Sequence, residues 1–230
     1  MIPAAKRFWR DVTLEGRAIR LDGRALKTPA RADLVLPTDA LAHAVADEWR
    51  AVEDSIDPRA MPLTGLANAA IDRIAPDTAS FAAGLGRYAQ GDLLCYRADH
   101  PAELVALQGG AWDPPLDWAR SRYDVDFRVT AGIVHVAQSA DTVRRLAAAV
   151  AARDAFHLTG IAPLVTLSGS LVLALALAEG AITEQDAWDA AELDDLWQAE
   201  QWGEDALATA AREDKRRDFR AAARFLALLD

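Results

Sequence analysis

AIRLDGRALKTP, residues 18–29, decides how the first part of this chain folds. Asp22-Gly23 stands between two short runs in which apolar and polar residues alternate. Both central positions of a tight hairpin need positive φ, and Asp-Gly tolerates it, so the stretch reads as two antiparallel strands. Working outward, FWRDVTLE (8–15) ends in a Glu15-Gly16 turn signal and supplies a further strand. ADLVLP (32–37) continues the pattern, with Pro29 and Pro37 ending each run. The first forty residues predict a small antiparallel sheet. Thr38 is placed as N-cap of a helix through DALAHAVADEWRAVE, whose Leu41, Ala44, Val45, Glu48 and Trp49 recur at helical spacing and can cover that sheet. A second helix is expected from near Leu63 through LANAAIDRI. Its Asn68 and Asp72 share a face, as a polar pair would to fasten a helix to a loop.

After Pro76 the composition changes to alanine-rich helical stretches: FAAGLGRYAQ, PAELVALQ, PLDWARSRY, TVRRLAAAVAA, LVLALALA, DAWDAAELDDLWQAE and DFRAAARFLALL. LLCYR and FRVTAGIVHV read as short extended connectors, and the second could return to the N-terminal sheet. Trp112 and Trp118 flank an expected break at Pro114-Pro115, where they would anchor a helix start. The fold class is α+β: a sheet-plus-helix domain over residues 1–75, then a mainly helical domain, an orthogonal bundle, over 76–230. Trp49 and MPLTGLANAAIDR (61–73) belong to the seam between sheet and helices.

Composition excludes several functions. Apolar residues make up 52% and charged residues 26% of 230, ordinary values for a globular chain. The formal net charge of −10 argues against nucleic acid, since phosphate neutralisation supplies most of such affinity. From Ala155 to Ala178 no charged residue occurs, but Pro163, Thr166, Ser168, Gly169 and Ser170 interrupt the run, which suits a buried helix and no membrane insertion. The single cysteine, Cys95, allows no internal disulfide and sits in an apolar run as an inert thiol would. The histidines at 43, 100, 135 and 157 have no zinc spacing. GLGRYA (84–89) lacks the third glycine of a dinucleotide cradle, and Ser168-Gly169-Ser170 is no nucleophile elbow. No cofactor is expected.

The charge is concentrated. Between Ala181 and Ala206 there are nine acidic residues and no basic one, and a basic block of Arg212, Lys215, Arg216, Arg217, Arg220 and Arg224 follows. Two neighbouring helices of opposite charge would explain part of this. Within the acidic run, ELDDLWQAEQWGEDA (192–206) invites three readings: a metal site, a catalytic acid pair, or a surface for another protein. Adjacent Asp194 and Asp195 diverge by about 100° on a helix, against a metal. Leu193, Leu196 and Trp197 form an apolar stripe whose next turn falls on Glu200. A carboxylate there needs an internal cation or faces a partner. Trp202 follows at the rim, and Gly203 is a natural helix terminator.

KRFW (6–9), LDGRALKTP (21–29), DEWRA (47–51), MPLTGLANAAIDR, DLLCYRA (92–98), AWDPPLDWA (111–119), SGSLVLALAL (168–177) and ELDDLWQAEQWGEDA, taken in order, resemble the assembly chaperone family for the alpha subunit of F1-ATP synthase. The resemblance spans almost the whole chain and implies a small N-terminal α/β layered domain followed by a helical bundle. It implies no catalysis. Family members hold the unassembled alpha subunit until it enters the alternating alpha-beta hexamer. Eukaryotic members work in the mitochondrial matrix behind a targeting extension; this chain lacks one, so a bacterial cytoplasmic member is expected. On this reading Asp195, Glu200 and Trp202 contact the client and Gln198 supports them. The competing expectations are a small-molecule enzyme using the carboxylates, with Asp72 and Asp92 as further candidates, and a permanent structural subunit of the complex.

Overall fold

The computed structural model describes residues 5–132, 134–203 and 205–230. Met1 to Ala4 of the N-terminal run, Ile133 of FRVTAGIVHV and Glu204 of the acidic run lie outside the described residues.

Three strands, β1 (Val12–Glu15), β2 (Ala18–Leu21) and β3 (Arg24–Ala25), form an antiparallel sheet in chain order. Asp22 and Gly23 both adopt positive φ, 48° and 77°, as the hairpin requires. The Asp22 carboxylate accepts from the amides of Arg10 and Asp11, which hold its pKa below the ordinary value. The later runs are less regular than the alternation suggests. Lys27 and Asp33, then Ala18 and Val35, meet only as isolated bridges. Between them the chain folds back through Thr28–Arg31, and Asp72 pins that loop by accepting from the Thr28 hydroxyl (2.6 Å) and the Ala30 amide (2.9 Å). Asp72 is thus the helix-to-loop fastener expected from its spacing. Asn68 does not share the task, because its Oδ1 is buried without a partner.

The first helix, α1 (Asp39–Ala51), is capped by Thr38 as anticipated, the Leu41 amide donating to Oγ1 at 3.1 Å. Leu41, Val45 and Trp49 are buried, and Trp49 lies against Trp9 with ring centroids 5.0 Å apart. Glu48 reaches the start of the next helix. It accepts from the amides of Leu63 and Thr64 and from the Thr64 hydroxyl, capping α2 (Pro62–Ala69), whose own N-cap offers no side-chain bond. A π-turn over Ala70–Ile74 ends that element.

The helical part comprises α3 (Thr78–Gly86), α4 (Ala102–Tyr123), α5 (Ala140–Ala151), α6 (Ala155–Ser168), α7 (Leu171–Ala178), α8 (Glu184–Ala191), α9 (Leu193–Trp202) and α10 (Ala206–Ala227). Two expectations are corrected here. Pro114-Pro115 does not break α4, which runs 22 residues straight through it, so Trp112 lies mid-helix instead of at a start. Burial of Trp112, Leu116 and Ala119, with the Trp112 indole donating to the Ala190 carbonyl at 2.7 Å, overrides the lost backbone bonds. Nor does FRVTAGIVHV return to the N-terminal sheet: β5 (Thr130–Ala131) pairs in parallel with β4 (Tyr96–Arg97).

The uncharged stretch is two helices, α6 and α7, divided at Gly169, whose φ is +70°. No described helix is long and apolar enough to cross a membrane. Residues 171–176 of α7 are all buried, and Asp92 holds its N-terminus. With no exposed surface, Asp92 accepts from the amides of Leu94 (3.1 Å) and Val172 (3.0 Å). Burial pushes its carboxyl pKa up, against those amides and the Ser170 hydroxyl. Cys95, just beyond, is buried, and desolvation with the charge of Asp92 pushes its thiol up to about 12. One hydrophobic cluster runs from Trp9 and the sheet through to Phe225 and Leu229 of the C-terminal segment.

Candidate functional site

The acidic run occupies α8, α9 and the turn into α10. A capping box begins α8, Thr183 and Asp186 exchanging side-chain and backbone bonds. Its Trp188 packs on Phe219 of α10, centroids 5.5 Å apart, and Arg216 lies 4.8 Å over the indole. Opposite charges then meet, as their segregation in sequence implied. Glu184 pairs with Arg216 at 3.1 Å and Arg220 at 3.8 Å. Glu192, only 2% exposed at the joint of α8 and α9, pairs with Lys215 and lies 3.8 Å from Arg212. Removing a buried carboxylate from water is costly without such partners. The internal cations thus go to Glu192, which sequence reasoning did not single out.

Beyond Glu192 the character changes. No residue of α9 is buried. Leu193, Leu196 and Trp197 are half-buried along the stripe that faces the molecule, and Gln108 of α4 fixes Asp194 at 2.7 Å. Asp195, Gln198, Glu200 and Trp202 are all exposed. None of the first three makes a hydrogen bond or ion pair among the described residues, and Trp202 is 79% exposed. Gly203, with φ at +91°, ends α9. Asp205 then caps α10 through the Leu207 amide (3.2 Å), and Leu207 is 80% exposed. A cleft of about 450 Å3 opens between α9 and α10, with Asp195, Gln198 and Trp202 on one wall and Ala208 and Ala211 on the other.

Of the four site residues chosen from sequence, Asp195, Gln198 and Trp202 line this cleft together, whereas Glu200 is exposed on another face of α9, in line with Leu193, Leu196 and Trp197. Asp205, Ala208 and Ala211 face the first three across the cleft, and Leu207, exposed beside it, was missed because nothing in ALATAAR marks an exposed leucine. The other candidate carboxylates are elsewhere and occupied, Asp72 on the Thr28 loop and Asp92 on the N-terminus of α7. Among the described residues, no group of three or more histidines, cysteines or carboxylates could hold a metal.

The model of the ATP12 chaperone protein family matches residues 6–120. The crystal structure of Atp12 from Paracoccus denitrificans is 43% identical, with a TM-score of 0.93 over 98% of this chain and 99% of that one. The chain belongs to the ATP12 chaperone family. An aspartate-to-lysine variant of the Paracoccus Atp12 superposes with the same TM-score of 0.93. A candidate chaperone from Agrobacterium tumefaciens is 42% identical, with a TM-score of 0.92 over 98% of this chain and 86% of that one. Membership of the ATP12 family makes this chain an assembly chaperone whose partner is a protein of the ATP synthase pathway. The α+β architecture, a three-stranded sheet followed by helices, is the Atp12 fold. The ATP12 family match stops at Arg120, so the α9 surface lies beyond it and within the range of the structural similarity.

Proposed function

We propose that this chain binds the unassembled alpha subunit of F1-ATP synthase and shields it from aggregation until it joins the hexamer, with Asp195, Glu200 and Trp202 touching the client and Gln198 supporting them. The observation that carries this is the outer face of α9. Three polar groups without partners among the described residues and a tryptophan 79% exposed stand on a helix that buries none of its own residues. A free subunit exposes surface that is later buried against its neighbours, and such patches aggregate. Tryptophan supplies binding energy at protein contacts, and rim charges set association rate and specificity. The compartment that goes with this reading is the cytoplasm of a bacterium.

The test is light scattering of unfolded F1 alpha subunit diluted with and without this chain, using beta subunit as control. Selective suppression with alpha is expected. Glu200→Lys and Asp195→Lys should lose most of the protection while keeping the parent melting temperature, since neither carboxylate has a partner among the described residues. Equal suppression of both subunits, or a variant that unfolds, would sink the assignment.

A further inference from the structure

We infer that the cleft between α9 and α10 seats a cationic amphipathic segment of the client, with Asp205, Ala208 and Ala211 facing the α9 residues and Leu207 exposed beside them. The inference rests on the partner-binding reading above and adds the chemistry of what binds. Trp202 and Leu207, 79% and 80% exposed, are the two most exposed large apolar side chains among the described residues, and they flank the Gly203 turn. Between the helices the chain leaves about 450 Å3 unfilled, with small Ala208 and Ala211 on the α10 wall. Trp202 and the two alanines give the otherwise polar cleft an apolar stretch of wall on which an occupant's apolar side chains can rest.

Charge decides which occupant. Glu192, Asp195 and Asp205 line the cleft against Arg212 and Lys215, both of which face the buried Glu192, so the carboxylates of the lining exceed its cations by one. Asp195 and Asp205 line the cleft, and Glu200 is exposed on another face of α9, outside the lining. Asp195 and Glu200 have no cationic partner among the described residues. An acidic segment entering here meets like charges. A segment carrying lysine or arginine lays its aliphatic stem along Trp202 and Leu207 and sets its charge among the carboxylates. A helix presenting leucines on one face and lysines on the other meets both requirements.

The probe is a synthetic amphipathic leucine–lysine helix, fluorescently labelled, titrated with the full chain; a leucine–glutamate helix of the same length is its control. The lysine peptide should bind and the glutamate peptide should not. Leu207→Asp and Asp195→Lys should each weaken binding about tenfold or more. Glu53→Lys alters net charge as Asp195→Lys does, at an exposed residue with no hydrogen bond or ion pair among the described residues, and should bind as the parent does. Equal binding of both peptides, or a Leu207→Asp chain that binds unchanged, overturns the inference. So does equal weakening by Glu53→Lys, which would mark general attraction to an acidic protein. A chain that protects alpha subunit yet ignores the lysine peptide defeats the cleft chemistry and leaves the alpha assignment standing. The reverse result defeats the assignment and supports the cleft.

Discussion

Asp92 has no exposed surface, and its two oxygens are divided between the turn it begins, at Leu94, and a helix that starts some 80 residues further on, at Val172. That division joins two of the segments by which the family is recognisable, DLLCYRA and SGSLVLALAL. Asp92→Ala would leave two amides and the Ser170 hydroxyl short of an acceptor inside the core, at a cost of about 2–4 kcal/mol in urea unfolding. Asp92→Asn keeps one acceptor oxygen and should lose about half as much. Cys95, its thiol pushed up to about 12 by burial and by Asp92, should resist alkylation in the native chain at pH 8 and react at once in denaturant. Sequence reasoning placed Cys95 correctly from its apolar neighbours. It treated Asp92 as a spare acid, because the Val172 amide that claims its second oxygen comes from a distant helix.

Two glycines show how packing decides the sign of one substitution. Gly86, at the end of α3, faces α5 so closely that an added Cβ would lie 2.9 Å from the Ala147 methyl and 3.2 Å from its Cα. Backbone on the far side cannot give way cheaply, so Gly86→Ala should cost about 1–3 kcal/mol. Gly65, inside α2, meets nothing within 4 Å, and Gly65→Ala should gain about 0.5–1 kcal/mol from helix propensity. Thermal unfolding of both variants would check the opposite signs. GLGRYA (84–89) was legible only as what it is not, a phosphate loop; its glycine serves a helix crossing. Local signals such as Thr38, Asp22-Gly23 and Gly203 could be read directly, because caps and turns depend on neighbours. The continuity of α4 through Pro114-Pro115 could not, because it depends on the burial of Trp112 against α8. At the candidate site the same limit applies. The stripe of Leu193, Leu196 and Trp197 follows from periodicity, whereas the choice of Glu192 over Glu200 for the basic block follows from where α10 crosses.

Across the molecule, Glu179 ties together elements that share no strand or helix. Its carboxylate accepts from Arg122 (2.6 Å) and Tyr123 (2.8 Å) at the end of α4 and from Arg153 before α6, while itself following α7. Desolvation pushes this carboxyl up, but the hydrogen bonds from Arg122 and Tyr123 and the two guanidinium charges outweigh it, so its pKa falls below 4.5. A depressed carboxyl stabilises the fold above its unfolded pKa and loses that contribution as pH falls through the folded value. Glu179→Gln should therefore cost about 1–3 kcal/mol at neutral pH, the gap from the parent closing as denaturation is measured below about pH 4.5.

The crossing of α10 over α2 and α6 has a further consequence. Phe225 stacks on Phe156, Leu226 meets Gly160, and the Leu228 carbonyl accepts from Thr38, 190 residues earlier. A ribosome therefore releases the sheet and its first helices long before the helix that closes them exists. Until residues 206–228 emerge, the nascent chaperone is itself a client, with the faces of α2 and α6 open to whatever else is being translated nearby.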